Sequence, residues 1–146
     1  GVSTKELQQS IIENMRHWQK IENAAVASTG RVIEKTQNPI VRMVMEIIQR
    51  DSQFHYRVQE FIADSLETKA VSLNPDELGE VWDMIEKHIQ LEEKTLELAD
   101  QALTAIKGKK MLVQEYLLNY LKEDELKHNK ILSHLEQIKK GMYPYA

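Results

Sequence analysis

Two segments of the chain place an aspartate four residues before a histidine inside an otherwise apolar helical pattern. The segment "RDSQFH" contains Asp51 and His55, and "EDELKH" contains Asp124 and His128. Residues four apart share one face of a helix, so each carboxylate can reach its imidazole. Both side-chain types carry protons and ligate metal ions. The two pairs therefore indicate either metal binding or acid–base chemistry.

Four helices are needed to position these side chains, and capping signals delimit them. Ser3 and Glu6 form a capping-box pattern, and an Asn–Pro pair precedes the second and the third helix, with Pro39 and Pro75 at the first helical positions. Gly108 marks the last break between helices. We predict helices over roughly 4–35, 39–66, 75–106 and 110–140, followed by a tail at 142–146.

Each predicted helix carries one apolar stripe at i, i+3, i+4 and i+7, and strand-type alternation is absent. Long helices with short connections predict an all-α chain, a four-helix bundle that forms a single domain over 1–146. A connection at 67–74 is short for a crossover along the bundle. Either helix two ends early, near Ile62, or the bundle is a plain up-down-up-down arrangement.

Polar residues interrupt the centre of every stripe. At about 100° per residue, each Asp lies about 40° from its His and among apolar neighbours on the same face. The central acid of helices one and three lies about 13 to 14 residues before the helix ends, and that of helices two and four lies about 12 to 14 residues after the helix starts. We therefore expect all four acids at the same height along the bundle. The candidate ligands at this level are Glu22, Asp51, His55, His88, Glu92, Asp124 and His128, with Glu125 at the edge.

Carboxylates buried together require positive partners, because each one costs several kcal/mol to remove from water. Two divalent cations would neutralise four carboxylates, and the imidazoles would complete the coordination. Carboxylate together with imidazole favours iron or manganese over magnesium or calcium. For the same residues, the alternative is a metal-free network of Asp–His pairs that fixes the register of the helices.

The ligand pattern resembles that of the ferritin-like, rubrerythrin-related di-iron carboxylate proteins. Their plan is a Glu on one helix and Glu-x-x-His on the next, used twice. Glu22 matches the first acid of this plan, Glu92 matches the acid of the third helix, and "EDELKH" supplies Glu125-x-x-His128.

The segment "RDSQFH" departs from this plan. It keeps His55, but Ser52 stands at the position of the expected Glu. Asp51 is a candidate substitute, because it shares a helix face with His55. The two segments thus look like unequal halves of a duplicated helical hairpin.

The resemblance implies a buried centre of two iron ions, alternatively manganese, with dioxygen or peroxide as the substrate. The expected reactions are iron oxidation or peroxide reduction, with an electron-donor protein and a second copy of the chain as candidate partners. A protein of a different functional class is the alternative: a non-catalytic bundle. Its polar core would set the register of the helices, and its surface would serve as an interaction scaffold. The sequence gives no sign of assembly into an iron-storage shell.

Composition excludes several other classes. The chain has no Cys, which rules out disulfides, thiolate zinc sites and a thiol nucleophile. Its net charge of −4 argues against nucleic acid as the main partner. No apolar run approaches the length of a membrane span, and no charged-then-apolar leader opens the chain. We therefore predict a cytoplasmic protein without a membrane partner.

Overall fold

In the computed structural model, which describes residues 1–141, the chain forms four helices. They are α1 (Thr4–Lys35), α2 (Pro39–Glu67), α3 (Pro75–Ile106) and α4 (Leu112–Lys139). This described part of the chain contains no strand. None of its helices has an apolar stretch that could cross a bilayer. The prediction of an all-α chain with four long helices is confirmed.

The predicted helix bounds differ from the observed ones by two residues at most. Helix α2 runs to Glu67, so the alternative in which it ends near Ile62 is wrong. Helix α1 continues through Gly30, as the apolar pattern predicted. The predicted tail at 142–146 lies outside the described residues.

Capping side chains explain where three of the helices begin. The Ser3 hydroxyl accepts from the Glu6 N–H at 3.1 Å, and the Glu6 carboxylate accepts from the Ser3 N–H at 3.3 Å. The side chains of Asn38 and Asn74 accept from first-turn N–H groups of α2 and α3. These N–H groups have no partner inside their helix, so the local sequence sets the starts.

Helices α1 and α2 form one antiparallel hairpin, within residues 1–71. Near the connection at 36–38, the Gln49 side-chain amide donates to the Val26 carbonyl at 3.2 Å. At the far end, Arg16 lies 3.0 Å from Glu67. Contacts thus join early residues of α1 to late residues of α2, which fixes the antiparallel register.

Helices α3 and α4 form a second antiparallel hairpin, within the residues from Ser72 onward. Lys122 pairs with Asp100 at 2.7 Å on the side of the connection at 107–111. At the other end, the Lys139 ammonium lies 5.2 Å from the centre of the Trp82 ring, a cation–π contact. Gly108 turns the connection with φ of 75°, a conformation that favours glycine.

The interface between α1 and α2 is apolar only in part. Ile12, Met15 and Ala63 form a buried apolar cluster, in which Ala63 is 0% exposed. The remaining buried side chains in this hairpin are all polar, and buried polar groups need partners of the right geometry. They are Gln19, Glu22, Thr29, Ser52 and Gln59.

The buried strip of α2 differs from the predicted one. It consists of Ser52, Gln59 and Ala63, which lie about 80 to 120° around the helix from Asp51. Asp51 and His55 are exposed, contrary to the prediction that they lie at the centre of the buried stripe. The short side chains of Ser52 and Ala63 account for the difference, because they let α1 approach this side of α2.

Arg16 ties α1 to several carboxylates of α2. Its guanidinium nitrogens lie 3.0 Å from Glu60, 3.4 Å from Asp64 and 3.0 Å from Glu67. The Gln19 amide also donates to Glu60 at 2.6 Å. This hydrogen bond, together with the charge of Arg16, lowers the pKa of the Glu60 carboxyl, although partial burial acts in the opposite direction.

Replacing Glu60 by Gln should make the free energy of unfolding depend less on pH in the acid range. The folded-state pKa of Glu60 lies below its unfolded value, which is about 4.3. The ionised carboxyl therefore stabilises the fold above that value, and this contribution is lost as the pH falls through the folded-state pKa. Urea denaturation followed by circular dichroism between about pH 6 and pH 3 measures the slope of the unfolding free energy against pH. The exposed Glu46→Gln is the control, and an equal slope in both variants would contradict the expectation.

Candidate metal centre

Glu92 of α3 is a buried carboxylate held between two imidazoles. The residue is 8% exposed. Its Oε1 lies 2.7 Å from Nε2 of His88, one turn earlier on the same helix, and its Oε2 lies 3.2 Å from Nδ1 of His128 on α4. A carboxylate removed from water needs partners of this kind. Each oxygen of Glu92 therefore has a nitrogen partner, one from each helix of the hairpin.

Glu125 and Thr95 extend this polar group. Glu125 Oε2 lies 3.9 Å from His128 Nδ1, and the two residues are one turn apart on α4, as their spacing predicts. The Thr95 hydroxyl lies 2.8 Å from Glu125 Oε2 and 2.8 Å from the backbone carbonyl of Glu92. By donating to Glu125, Thr95 holds that carboxylate toward α3.

Three of these side chains bring ligand atoms together. Glu92, Glu125 and His128 each place one ligand atom within 4.8 Å of the other two. Oxygen and nitrogen ligands lie about 2.0–2.2 Å from a transition-metal ion, so two ligands of one ion are separated by at most about 4.4 Å. Small side-chain rotations would bring the three atoms into that range. Two carboxylates also balance the charge of a divalent ion, so these residues fit such an ion.

Asp124 lies beside this group but faces another way. Its Oδ2 is 3.6 Å from Nε2 of His128, the ring nitrogen that faces away from Glu92, and its Oδ1 is 2.8 Å from the Lys127 ammonium. Asp124 therefore contacts the outer side of His128. The sequence left open whether Asp124 or Glu125 is the ligand, and the geometry favours Glu125.

An apolar pocket of about 300 Å³ opens beside Glu125, between α3 and α4. Thr95 and Glu125 are its polar lining residues, and the others are Leu98, Ala99, Leu118 and Leu121. A small molecule in this pocket would lie next to two members of the polar group.

The α1–α2 hairpin also buries a glutamate next to a histidine. Glu22 is 7% exposed, and its Oε2 lies 3.2 Å from Nδ1 of His55. In the part of the chain that the structure describes, this oxygen is buried and accepts no hydrogen bond. Glu22 therefore lacks the pair of well-oriented partners that Glu92 has.

The eight predicted ligands fall into three sets. One set meets on α3–α4, a second on α1–α2, and Asp51 is exposed outside both. The first set is His88, Glu92, Glu125 and His128, with Asp124 alongside, and the second is Glu22 with His55. Thr95 is not among the predicted residues, although its position three residues after Glu92 places both side chains on one helix face.

Comparison with models of protein families, with curated proteins and with solved structures gives no match. Support for a function therefore comes from the geometry of the residues themselves and from the ligand pattern in the sequence.

Replacing Glu92 by Gln should destabilise the metal-free protein more than replacing Glu22 by Gln. Glu92→Gln removes a charge that contacts two imidazoles, and a lost hydrogen bond to a buried charged group costs about 1–3 kcal/mol. Glu22→Gln neutralises a buried charge whose Oε2 accepts no hydrogen bond. Urea denaturation at neutral pH in the presence of a chelator measures the loss of unfolding free energy in both variants. Equal losses in the two variants would contradict the assignment of partners.

Proposed function

We propose that this protein binds a divalent transition metal through Glu92, Glu125 and His128. The proposal rests on one observation: each of these three side chains places a ligand atom close to the other two, and one of the three, Glu92, is buried. His88 and Thr95 support the site, because each contacts a proposed ligand and restricts its orientation.

Iron or manganese suits this ligand set best. Magnesium and calcium prefer oxygen ligands and rarely recruit an imidazole. The lack of cysteine leaves carboxylates and imidazole as the donors, a combination that suits iron and manganese.

We further propose an oxidoreductase of the ferritin-like kind, acting in the cytoplasm on dioxygen or peroxide with an electron-donor protein. When bound, iron or manganese supplies one-electron redox chemistry. The chain's residues would balance the metal charge through Glu92 and Glu125, hold the His128 ring through Asp124, and admit a small substrate beside Glu125. The family plan implies a second ion, for which Glu22 and His55 would be the ligands on α1–α2.

A non-catalytic scaffold is the second candidate, and one observation favours it. Both oxygens of Glu92 already have imidazole partners without any ion. A network of this kind can fix the register of α3 against α4 by itself.

Metal binding separates the two candidates. Protein stripped with a chelator should bind Mn²⁺ and unfold at a higher temperature with the ion present, because a ligand of the folded state stabilises it. Calorimetric titration and thermal unfolding measure both effects. The double variant Glu92→Ala, His128→Ala should lose both.

A matched control exists on the same two helices. Glu93 and His134 are exposed, so the double variant Glu93→Ala, His134→Ala removes the same side-chain types and should keep the binding. Wild-type protein with no bound ion and no gain in unfolding temperature, with Mn²⁺ or with Fe²⁺ under anaerobic conditions, would overturn the proposal and leave the scaffold.

The redox activity has its own test. Protein loaded anaerobically with Fe²⁺ should consume dioxygen or peroxide faster than the same concentration of free Fe²⁺. An oxygen electrode and a peroxide assay measure the two rates. The Glu93→Ala, His134→Ala control should match wild type, and loaded protein that is no faster than free iron would leave a metal-stabilised scaffold instead of an enzyme.

A further inference from the structure

Each hairpin places a buried glutamate next to a histidine. Glu22 Oε2 lies 3.2 Å from Nδ1 of His55, and Glu92 Oε2 lies 3.2 Å from Nδ1 of His128. In both hairpins the acid is on the first helix and the imidazole is on the second. In both hairpins a carboxylate oxygen lies beside Nδ1 of the histidine, although only the contact between Glu92 and His128 is a hydrogen bond. The other residues of the two hairpins can therefore be compared position by position.

The third ligand differs between the hairpins. Glu125 precedes its histidine by three residues, and Ser52 holds the matching position before His55. Ser52 is 6% exposed, so it lies inside the hairpin, but its hydroxyl is neutral and much shorter than a Glu side chain. Ser52 therefore cannot supply the charge or the reach of Glu125.

The residue that supports the third ligand differs as well. Thr95 lies three residues after Glu92 and contacts Glu125, whereas Ala25 lies three residues after Glu22 and has no hydroxyl. The ligand and its supporting hydroxyl are thus both missing from α1–α2.

Asp51 does not replace the missing carboxylate. Its counterpart is Asp124, which also stands four residues before a histidine. Asp124 contacts the outer nitrogen of His128 and the ammonium of Lys127, and it is not among the three converging ligands. Asp51 is itself exposed, whereas Asp124 is half-buried.

From these differences we infer that the chain holds one metal ion, on α3–α4, and that Ser52 is the residue that denies α1–α2 a second ion. The inference rests on the proposed metal binding and limits it to one ion per chain. Glu22 and His55 are two ligands of an incomplete set, and among the described residues of this hairpin no third ligand atom joins them.

The number of Mn²⁺ ions bound per chain tests the inference. Calorimetric titration, with elemental analysis after desalting, should give one ion in wild type and one ion in Glu22→Gln and His55→Ala. Glu125→Gln should weaken binding by at least about 100-fold, since even residues that only support a ligand contribute 10- to 100-fold.

Restoring the ligand provides the complementary test. Ser52→Glu should raise the number to two, and adding Ala25→Thr should tighten the second site by about 10-fold. If Ser52→Glu does not fold, the smaller Ser52→Asp and the two α1–α2 variants above carry the test. Ser52→Leu, which is also larger than Ser but has no carboxylate, is the control and should stay at one ion.

Each outcome points to one conclusion. Two ions in wild type, falling to one in Glu22→Gln, would overturn the inference and keep the proposed metal binding. A folded Ser52→Glu protein that stays at one ion would overturn the role of Ser52. No ion in wild type would overturn the proposed metal binding itself.

Discussion

The need to supply partners for the buried carboxylate of Glu92 explains the group of polar side chains between α3 and α4. An ionised acid between two packed helices loses its hydration, and only nearby donors or cations can replace it. His88 and His128 meet that need for Glu92 itself. Glu125 then brings a second negative charge to the same group, and a divalent cation would balance both acids at once.

The α1–α2 hairpin meets a similar constraint by other means. Its polar interface is held by directed contacts of Arg16, Gln19 and Gln49, and its apolar cluster is small. Glu22 is left with one imidazole neighbour instead of two. The first hairpin is therefore held together by contacts that involve none of the residues proposed as metal ligands.

Local signals in the sequence predicted the helices almost to the residue, because Ser3, Asn38 and Asn74 satisfy the first-turn N–H groups by themselves. They also predicted that Glu125 and His128 meet, since a spacing of three needs only a helix. Apolar periodicity wrongly placed Asp51 in the buried stripe of α2, because the side on which α2 packs depends on which helix approaches it and how closely. Small residues such as Ser52 and Ala63 decide that, and apolar periodicity gives them little weight.

The short connections of the two hairpins have a consequence for how the chain assembles. The helix-to-helix hydrogen bonds and ion pairs described above join residues at most 51 positions apart. Contacts within a hairpin close shorter loops than contacts between distant parts of the chain, and they form sooner. Helices α1 and α2 are complete once residue 71 has been synthesised, well before His128 exists. During translation the first hairpin can therefore form on its own, and the proposed metal ligands come together only when α4 has left the ribosome.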